Sequence, residues 1–317
     1  MSTVDTTTPD EVDAPIGESL TPVGGWLRFK FQCARGASYA ALKLFGPRGL
    51  YRCAAGFALL EWLINYKRRR RFAAQMRSMF AEALSPAQRR YACRRWFINT
   101  RCDKLFYLIF DRLPRRILSE RFVYDGVAPL ESALRGGSGV YVMLSHFGAQ
   151  HIAGLVMALR GHKVAGVRRD EEGAIRRYVE EKYARTYPEF ASMKVFYSHT
   201  FPREIFRALR SGYLLGSASD VFQIANPRLR TVSVRYFGEQ RAFLVGPLQA
   251  ALRCGVPIYQ GFVVSEPHFR YRLIARGPLI EAAPDSETPE RLAAVMQTYA
   301  DNIEAMLRKH PCHVTRV

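Results

Sequence analysis

Two histidines five residues apart, His146 and His151, stand where this chain could do chemistry on a hydroxyl group. The run Val140 to Leu144 is apolar and β-prone. Ser145 and His146 follow it, and Gly148 permits an immediate turn into the apolar stretch Ile152 to Leu159. This order predicts a buried strand, then His146, then a helix, and open α/β sheets bind ligands at the carboxyl ends of their strands. An imidazole in that position can take a proton from an incoming hydroxyl near neutral pH. His146 is therefore the candidate base, and His151 the second candidate catalytic residue.

Other polar residues fall at comparable positions. Arg168 and Arg169 follow a predicted strand at Lys163 to Val167, Ser219 and Asp220 follow one at Tyr213 to Ala218, and Gly246 with Pro247 opens a predicted helix whose amides could face an anion. If the sheet is parallel, these ends share a rim with His146. Arginine binds carboxylate or phosphate through paired hydrogen bonds, so Arg168 and Arg169 suit an anionic substrate or remain solvated surface charges. Asp220 either joins the site or caps a turn. Gly148 and Gly246 complete the candidate substrate-binding set.

The elements that must position these residues follow from periodicity. Strands are also expected at Val195 to Tyr197 and Pro257 to Val264, with helices at Ala174 to Tyr187, Pro202 to Arg210 and Leu248 to Cys254. Alternation of this kind predicts a mixed α/β fold, a mostly parallel sheet flanked by helices. Ser233 to Phe237 and Arg241 to Leu244 read as a hairpin beside the sheet, and Arg270 to Ala275 as an antiparallel strand. Thr288, Pro289 and Glu290 open a last helix reaching about Lys309.

The first third differs. Phe72, Met76, Met79, Phe80 and Leu84 recur at helical spacing, and Ser85-Pro86-Ala87-Gln88 is a capping box before a second helix through Trp96 and Phe97, with a third apolar patch at Leu105 to Phe110. Leu50 to Tyr66 is apolar and aromatic but interrupted by Arg52 and Glu61, and it abuts Lys67 to Arg71. A membrane-crossing helix needs about 20 predominantly apolar residues, so this segment is too short. Trp62 with Arg68, Arg69, Arg70 and Arg71 instead suits an interfacial membrane site, the alternative being a core helix before a charged turn. The expected organisation is a disordered acidic leader at 1–24, a basic helical membrane-associating region at 25–117, and an α/β catalytic domain at 118–317.

Composition limits the partners. Forty-seven Lys plus Arg against 28 Asp plus Glu leave a net charge of +19, which implies an anionic partner such as a lipid surface, nucleic acid or an acidic protein. The six cysteines lack metal-ligand spacing, so no metal or cofactor is expected, and reduced thiols suit a cytoplasmic compartment. Nucleic acid is disfavoured because the arginines are dispersed and no reader motif is present.

These residues resemble the bacterial lipid A late acyltransferases of the lauroyl and myristoyl transferase type, within the lysophospholipid acyltransferase-like superfamily. The similarity runs from about Leu50 to Pro311 and rests on Leu144 to Gly148, Val167 to Asp170, Ala218 to Val221, Val234 to Gly238 and Gly246 to Pro257. It implies a histidine base at His146, the family's arginine at Arg168 and its aspartate at Asp220. It further implies transfer of a fatty acyl group from acyl-CoA or acyl carrier protein to a hydroxyl of a glycolipid or related lipid, at the cytoplasmic face of the inner membrane. The family carries Asp or Glu at the fifth residue after the base; His151 stands there instead. The segment His310 to Val317 also departs from the family's pattern. Those departures leave room for an alternative, a catalytically impaired homologue that binds lipid or acylated carrier.

Overall fold

The structure, a computed structural model, describes residues 23–80, 83–168, 174–197, 202–220, 229–283 and 287–315. The expected leader at 1–24 lies almost wholly outside the described residues, as does Arg169.

Helices come first: α1 (Gly25–Ile64), α2 (Tyr66–Phe80), α3 (Pro86–Ile109) and the short α4 (Arg115–Ser119). Helix α1 begins well before the expected apolar segment and bends at Gly46, where φ is +64°, next to Pro47. Helix α3 starts at the expected capping box: the Gln88 amide donates to Ser85 Oγ at 3.2 Å, and the Ser85 amide donates to Gln88 Oε1 at 2.8 Å. It then runs unbroken past Trp96 and Phe97 into the apolar patch expected at Leu105 to Phe110. Arg101 and Lys104, between those two stretches, are exposed on its outer side, while Trp96, Phe97, Cys102 and Phe106 are buried.

From Phe122 onward the chain alternates: β1 (Phe122–Asp125), α5 (Val127–Arg135), β2 (Val140–Leu144), α6 (Gln150–Leu159), β3 (Val164–Arg168), α7 (Ala174–Thr186), α8 (Pro188–Ala191), β4 (Lys194–Tyr197), α9 (Pro202–Arg210) and β5 (Leu214–Ala218). The hairpin β6 (Thr231–Tyr236) and β7 (Glu239–Leu244) follows, then α10 (Gly246–Cys254), β8 (Ile258–Glu266), β9 (Arg270–Ile280) and α11 (Pro289–Lys309). The described strands form a seven-stranded sheet in the order β1-β9-β8-β2-β5-β3-β4, with β6 and β7 as a separate antiparallel pair. Strands β8, β2, β5, β3 and β4 run parallel, β9 opposes β8, and β1 follows β9. This is the mostly parallel α/β sheet the alternating pattern predicts. Strand β1 was not foreseen: its four residues are too few to give a period against the preceding polar turn.

One core joins both regions. Phe106 of α3 packs on Tyr271 of β9 at 4.8 Å between ring centres and on Phe122 of β1 at 6.2 Å, so the helical first third docks on the β1–β9 side of the sheet. Fully burying one such ring contributes about 1.5–3 kcal/mol. No described helix is long and apolar enough to cross a membrane.

Residues expected at a membrane surface divide. Arg68 lies over the Trp96 ring at 4.5 Å and pairs with Glu61 at 2.8 Å, and Arg69 lies over the Trp62 ring at 5.3 Å. Trp62 is half-buried, whereas Arg70 and Arg71 are exposed. Phe57, Leu60, Leu63, Ile64 and Tyr66 are exposed beside them.

Candidate active site

Strands β2 and β5 are parallel neighbours with Leu144 opposite Ala218, their last residues. His146 and Asp220 each stand two residues beyond, so register alone sets them side by side. The His146 amide donates to Asp220 Oδ2 at 2.8 Å, and Nδ1 of the ring lies 3.0 Å from Oδ1. An ionised carboxylate only accepts, so this contact keeps the imidazole proton on Nδ1 and leaves Nε2 as the free base. Asp220 is buried and held further by Tyr299 of α11, whose hydroxyl lies 3.3 Å from Oδ1 and donates to the Leu144 carbonyl at 2.6 Å. Burial and the adjacent Asp220 charge raise the Tyr299 hydroxyl well above its ordinary pKa, so it stays a donor. Tyr299 carried no signal in the sequence, because a tyrosine on the buried side of a late helix looks like core.

His151 does not meet that pair in the hydrogen bonds formed. Its ring packs edge-on against Tyr107 of α3 at 4.9 Å between centres and hydrogen-bonds the Asp103 backbone. Tyr107 donates to Glu180 Oε1 at 3.0 Å, and Arg168 pairs with Glu180 Oε2 at 2.8 Å. Arg168 and His151 therefore share a second polar cluster built on Glu180 and Tyr107, neither of which the sequence singled out. Burial, with Arg176, Lys104 and Arg168 nearby, pushes His151 down to about 3. At neutral pH it is an uncharged imidazole.

The loop after β2 is tightly held. Gly148 has φ +55°, and a Cβ there would lie 2.1 Å from the Val263 carbonyl oxygen and 3.0 Å from the His313 ring. Its amide donates to the His313 carbonyl at 2.7 Å, Ala149 donates to Val263 at 3.2 Å, and Phe147 to Ser145 at 2.7 Å. The amides of Phe147, Gly148 and Ala149 are thus engaged within the fold, and Gly148 serves the turn. The carboxyl-terminal segment clamps the same loop. Phe147 pairs with Val314, its ring stacks on His313 at 5.2 Å, and Thr315 Oγ1 donates to the His146 carbonyl at 2.7 Å.

A cavity of about 790 Å³ opens at this rim and runs beneath α6 over the sheet. His146, His151, Arg168, Arg176, Glu180 and Gly246 line it with Val142, Leu144, Gly154, Gly166, Gly216 and Gly261. Asp220 backs His146 and Gly246 opens α10 at the same mouth. No cluster of His, Cys, Asp or Glu able to hold a metal ion occurs among the described residues.

Buried titratable groups near the site set its response to acid. His313 Nε2 accepts from the Ser265 amide at 2.9 Å, and burial, then His310, pushes it down to about 3. Asp103, bonded by Ser265 and Tyr271, is pushed by burial up to about 7. Below about pH 6.5 the unfolded chain protonates His151 and His313 while the fold does not, so their contribution to stability is lost as pH falls toward 3. Asp103 acts oppositely between pH 7 and 4, because there the fold binds the proton first. Asp103→Asn should therefore make urea stability fall more steeply from pH 6 to pH 4, by up to about 1.4 kcal/mol per pH unit. An unchanged slope would mean that Asp103 is ionised in the fold.

No individually curated protein matches the sequence significantly. Residues 40–313 match the family model described as bacterial lipid A biosynthesis acyltransferase, so the chain belongs to that family and is a lipid acyltransferase of this class.

Proposed function

We propose that this chain is a peripheral inner-membrane O-acyltransferase that moves a fatty acyl group from an acyl-CoA or acyl carrier protein thioester to a hydroxyl of a glycolipid. The observation that carries the proposal is the 3.0 Å His146–Asp220 contact at the mouth of a largely apolar cavity of about 790 Å³. Nε2 of His146 takes the acceptor's hydroxyl proton, and the oxygen attacks the thioester carbonyl. The tetrahedral intermediate then collapses, the C–S bond breaks, and the departing sulfur receives the proton from His146. Asp220 fixes the tautomer and stabilises the transient imidazolium, the part the carboxylate at the fifth position plays in the family. Asp220, which follows β5, gives His146 a carboxylate partner although His151 is an uncharged imidazole.

Positive charge for the oxyanion and for anionic substrate groups comes from Arg168 and Arg176, which line the cavity. The acyl chain lies against the sheet. Gly166, Gly216, Gly261 and Ala275 lie on β3, β5, β8 and β9 on the cavity side, with Val142 and Leu144 of β2 among them. Four interstrand steps of about 4.8 Å carry this floor roughly 19 Å, the scale of a long fatty acyl chain. A Cβ on Gly166 would meet its nearest neighbours at 3.8 and 3.9 Å, so the fold tolerates a side chain there. Gly166→Leu should leave short acyl donors active and cut kcat/KM for the longest by ten-fold or more, since each methylene denied burial costs about 0.8 kcal/mol. Chain preference identical to wild type would exclude this path.

Exposed Phe57, Leu60, Leu63 and Ile64 supply the interfacial apolar surface, with Arg70 and Arg71 toward lipid phosphates. R70Q/R71Q should weaken partitioning onto phosphatidylglycerol vesicles by about ten-fold or more, at about 1 kcal/mol per charge. Unchanged partitioning at low salt would remove the interfacial assignment. The function itself is tested by thiol release from acyl-CoA and acyl carrier protein donors with a lipid A precursor. Acceptor-dependent release in wild type that vanishes in His146→Ala supports it; release that His146→Ala leaves intact overturns it.

A further inference from the structure

A second concave site lies outside the catalytic cavity, where the middle of α1 crosses the turn between β8 and β9. Its volume is about 400 Å³, and its lining is Arg48, Arg52, Arg121, Arg270, His268 and Glu120. Four guanidinium groups thus face one carboxylate, and Glu120 is already shared with Arg116 at 3.3 Å. Arg121 donates to the His268 carbonyl at 2.7 Å, which fixes it in the wall.

The turn that presents His268 is built at a cost. His268 and Phe269 have φ of +64° and +57°, a left-handed pair that hairpin turns normally give to Asn and Gly. Phe269 offsets this by burial, its ring T-shaped against Tyr51 at 5.3 Å and stacked on Phe106 at 5.6 Å. The His268 ring meets Tyr51 at 5.0 Å, and its Nδ1 is enclosed without a hydrogen-bond partner among the described residues. Burial and the surrounding arginines lower the pKa of His268, and burial followed by Arg270 lowers that of Arg121. Like charges packed this closely destabilise one another unless an anion joins them.

We propose that this pocket binds a phosphate group, held by the guanidinium forks of Arg48, Arg52, Arg121 and Arg270. Phosphate offers several acceptor oxygens to several arginines at once, which no carboxylate in the pocket does. The group comes from an anionic lipid head group: Leu44 and Phe45, one turn before Arg48 on α1, and Phe57, just after Arg52, are exposed and would meet the bilayer beside it. The site is independent of the catalytic assignment, because none of its residues lines the cavity containing His146.

R52Q/R270Q is the direct test, since both residues are exposed. Calorimetric titration of the full chain with inorganic pyrophosphate should give binding that weakens at least ten-fold in R52Q/R270Q. Co-sedimentation with phosphatidylcholine vesicles containing phosphatidic acid should fall at least five-fold in R52Q/R270Q. Loss of pyrophosphate binding with unaltered sedimentation would assign the pocket to a soluble phosphate instead of a lipid. Equal pyrophosphate affinity in wild type and R52Q/R270Q, with both folded by circular dichroism, would overturn the site.

Discussion

Asp220→Asn should lower acyl transfer by about 10³-fold or more while leaving donor binding and the fold intact. The side chain keeps its size and one oxygen to accept from the His146 amide, which the carboxylate meets at 2.8 and 3.1 Å. What it loses is the negative charge beside Nδ1, and with it both the fixed tautomer and the stabilisation of the imidazolium. The loss belongs in kcat rather than KM, because Asp220 is buried behind the ring and the imidazolium forms only as the reaction proceeds. A loss confined to KM would make Asp220 a binding residue. By contrast, His151→Gln should cost little in kcat, since His151 hydrogen-bonds α3 and is neutral at working pH.

Gly148→Ala should be the most damaging small substitution in the catalytic loop. The added carbon would sit 2.1 Å from the Val263 carbonyl oxygen in a backbone conformation, φ +55°, that alanine avoids. Relief requires the loop to leave β8 or the His313 ring to move, and His146 is two residues away. Stability should fall by about 3 kcal/mol. Transfer should fall by 10²-fold or so, because misplacement of a base by about 1 Å is enough for that. Urea titration and thioester turnover measure the two together. Wild-type values in both would mean that the loop is not held as described.

Much of this was legible in the sequence, for identifiable reasons. Capping residues announced α3 and α11, Gly238 announced the hairpin, and a β-prone run before His146 announced β2, since each of these signals is local. Asp220 was found as a strand-end residue, but its pairing with His146 depends on β5 being the neighbour of β2, a long-range choice no local pattern encodes. Tyr299 and Glu180 were missed because a buried tyrosine or glutamate on an amphipathic helix leaves no periodic trace distinct from core or surface. In the basic cluster after α1, spacing could not tell that Arg68 and Arg69 turn inward onto Trp96 and Trp62 while Arg70 and Arg71 are exposed.

The most direct test of the account is a double-mutant cycle on the acyl-transfer rate with His146→Ala, Asp220→Asn and the combined variant. If Asp220 acts only through the imidazole, the combined variant should be no slower than His146→Ala alone. If instead the two losses multiply, Asp220 acts independently of His146, and the histidine–aspartate pair is not the catalytic unit.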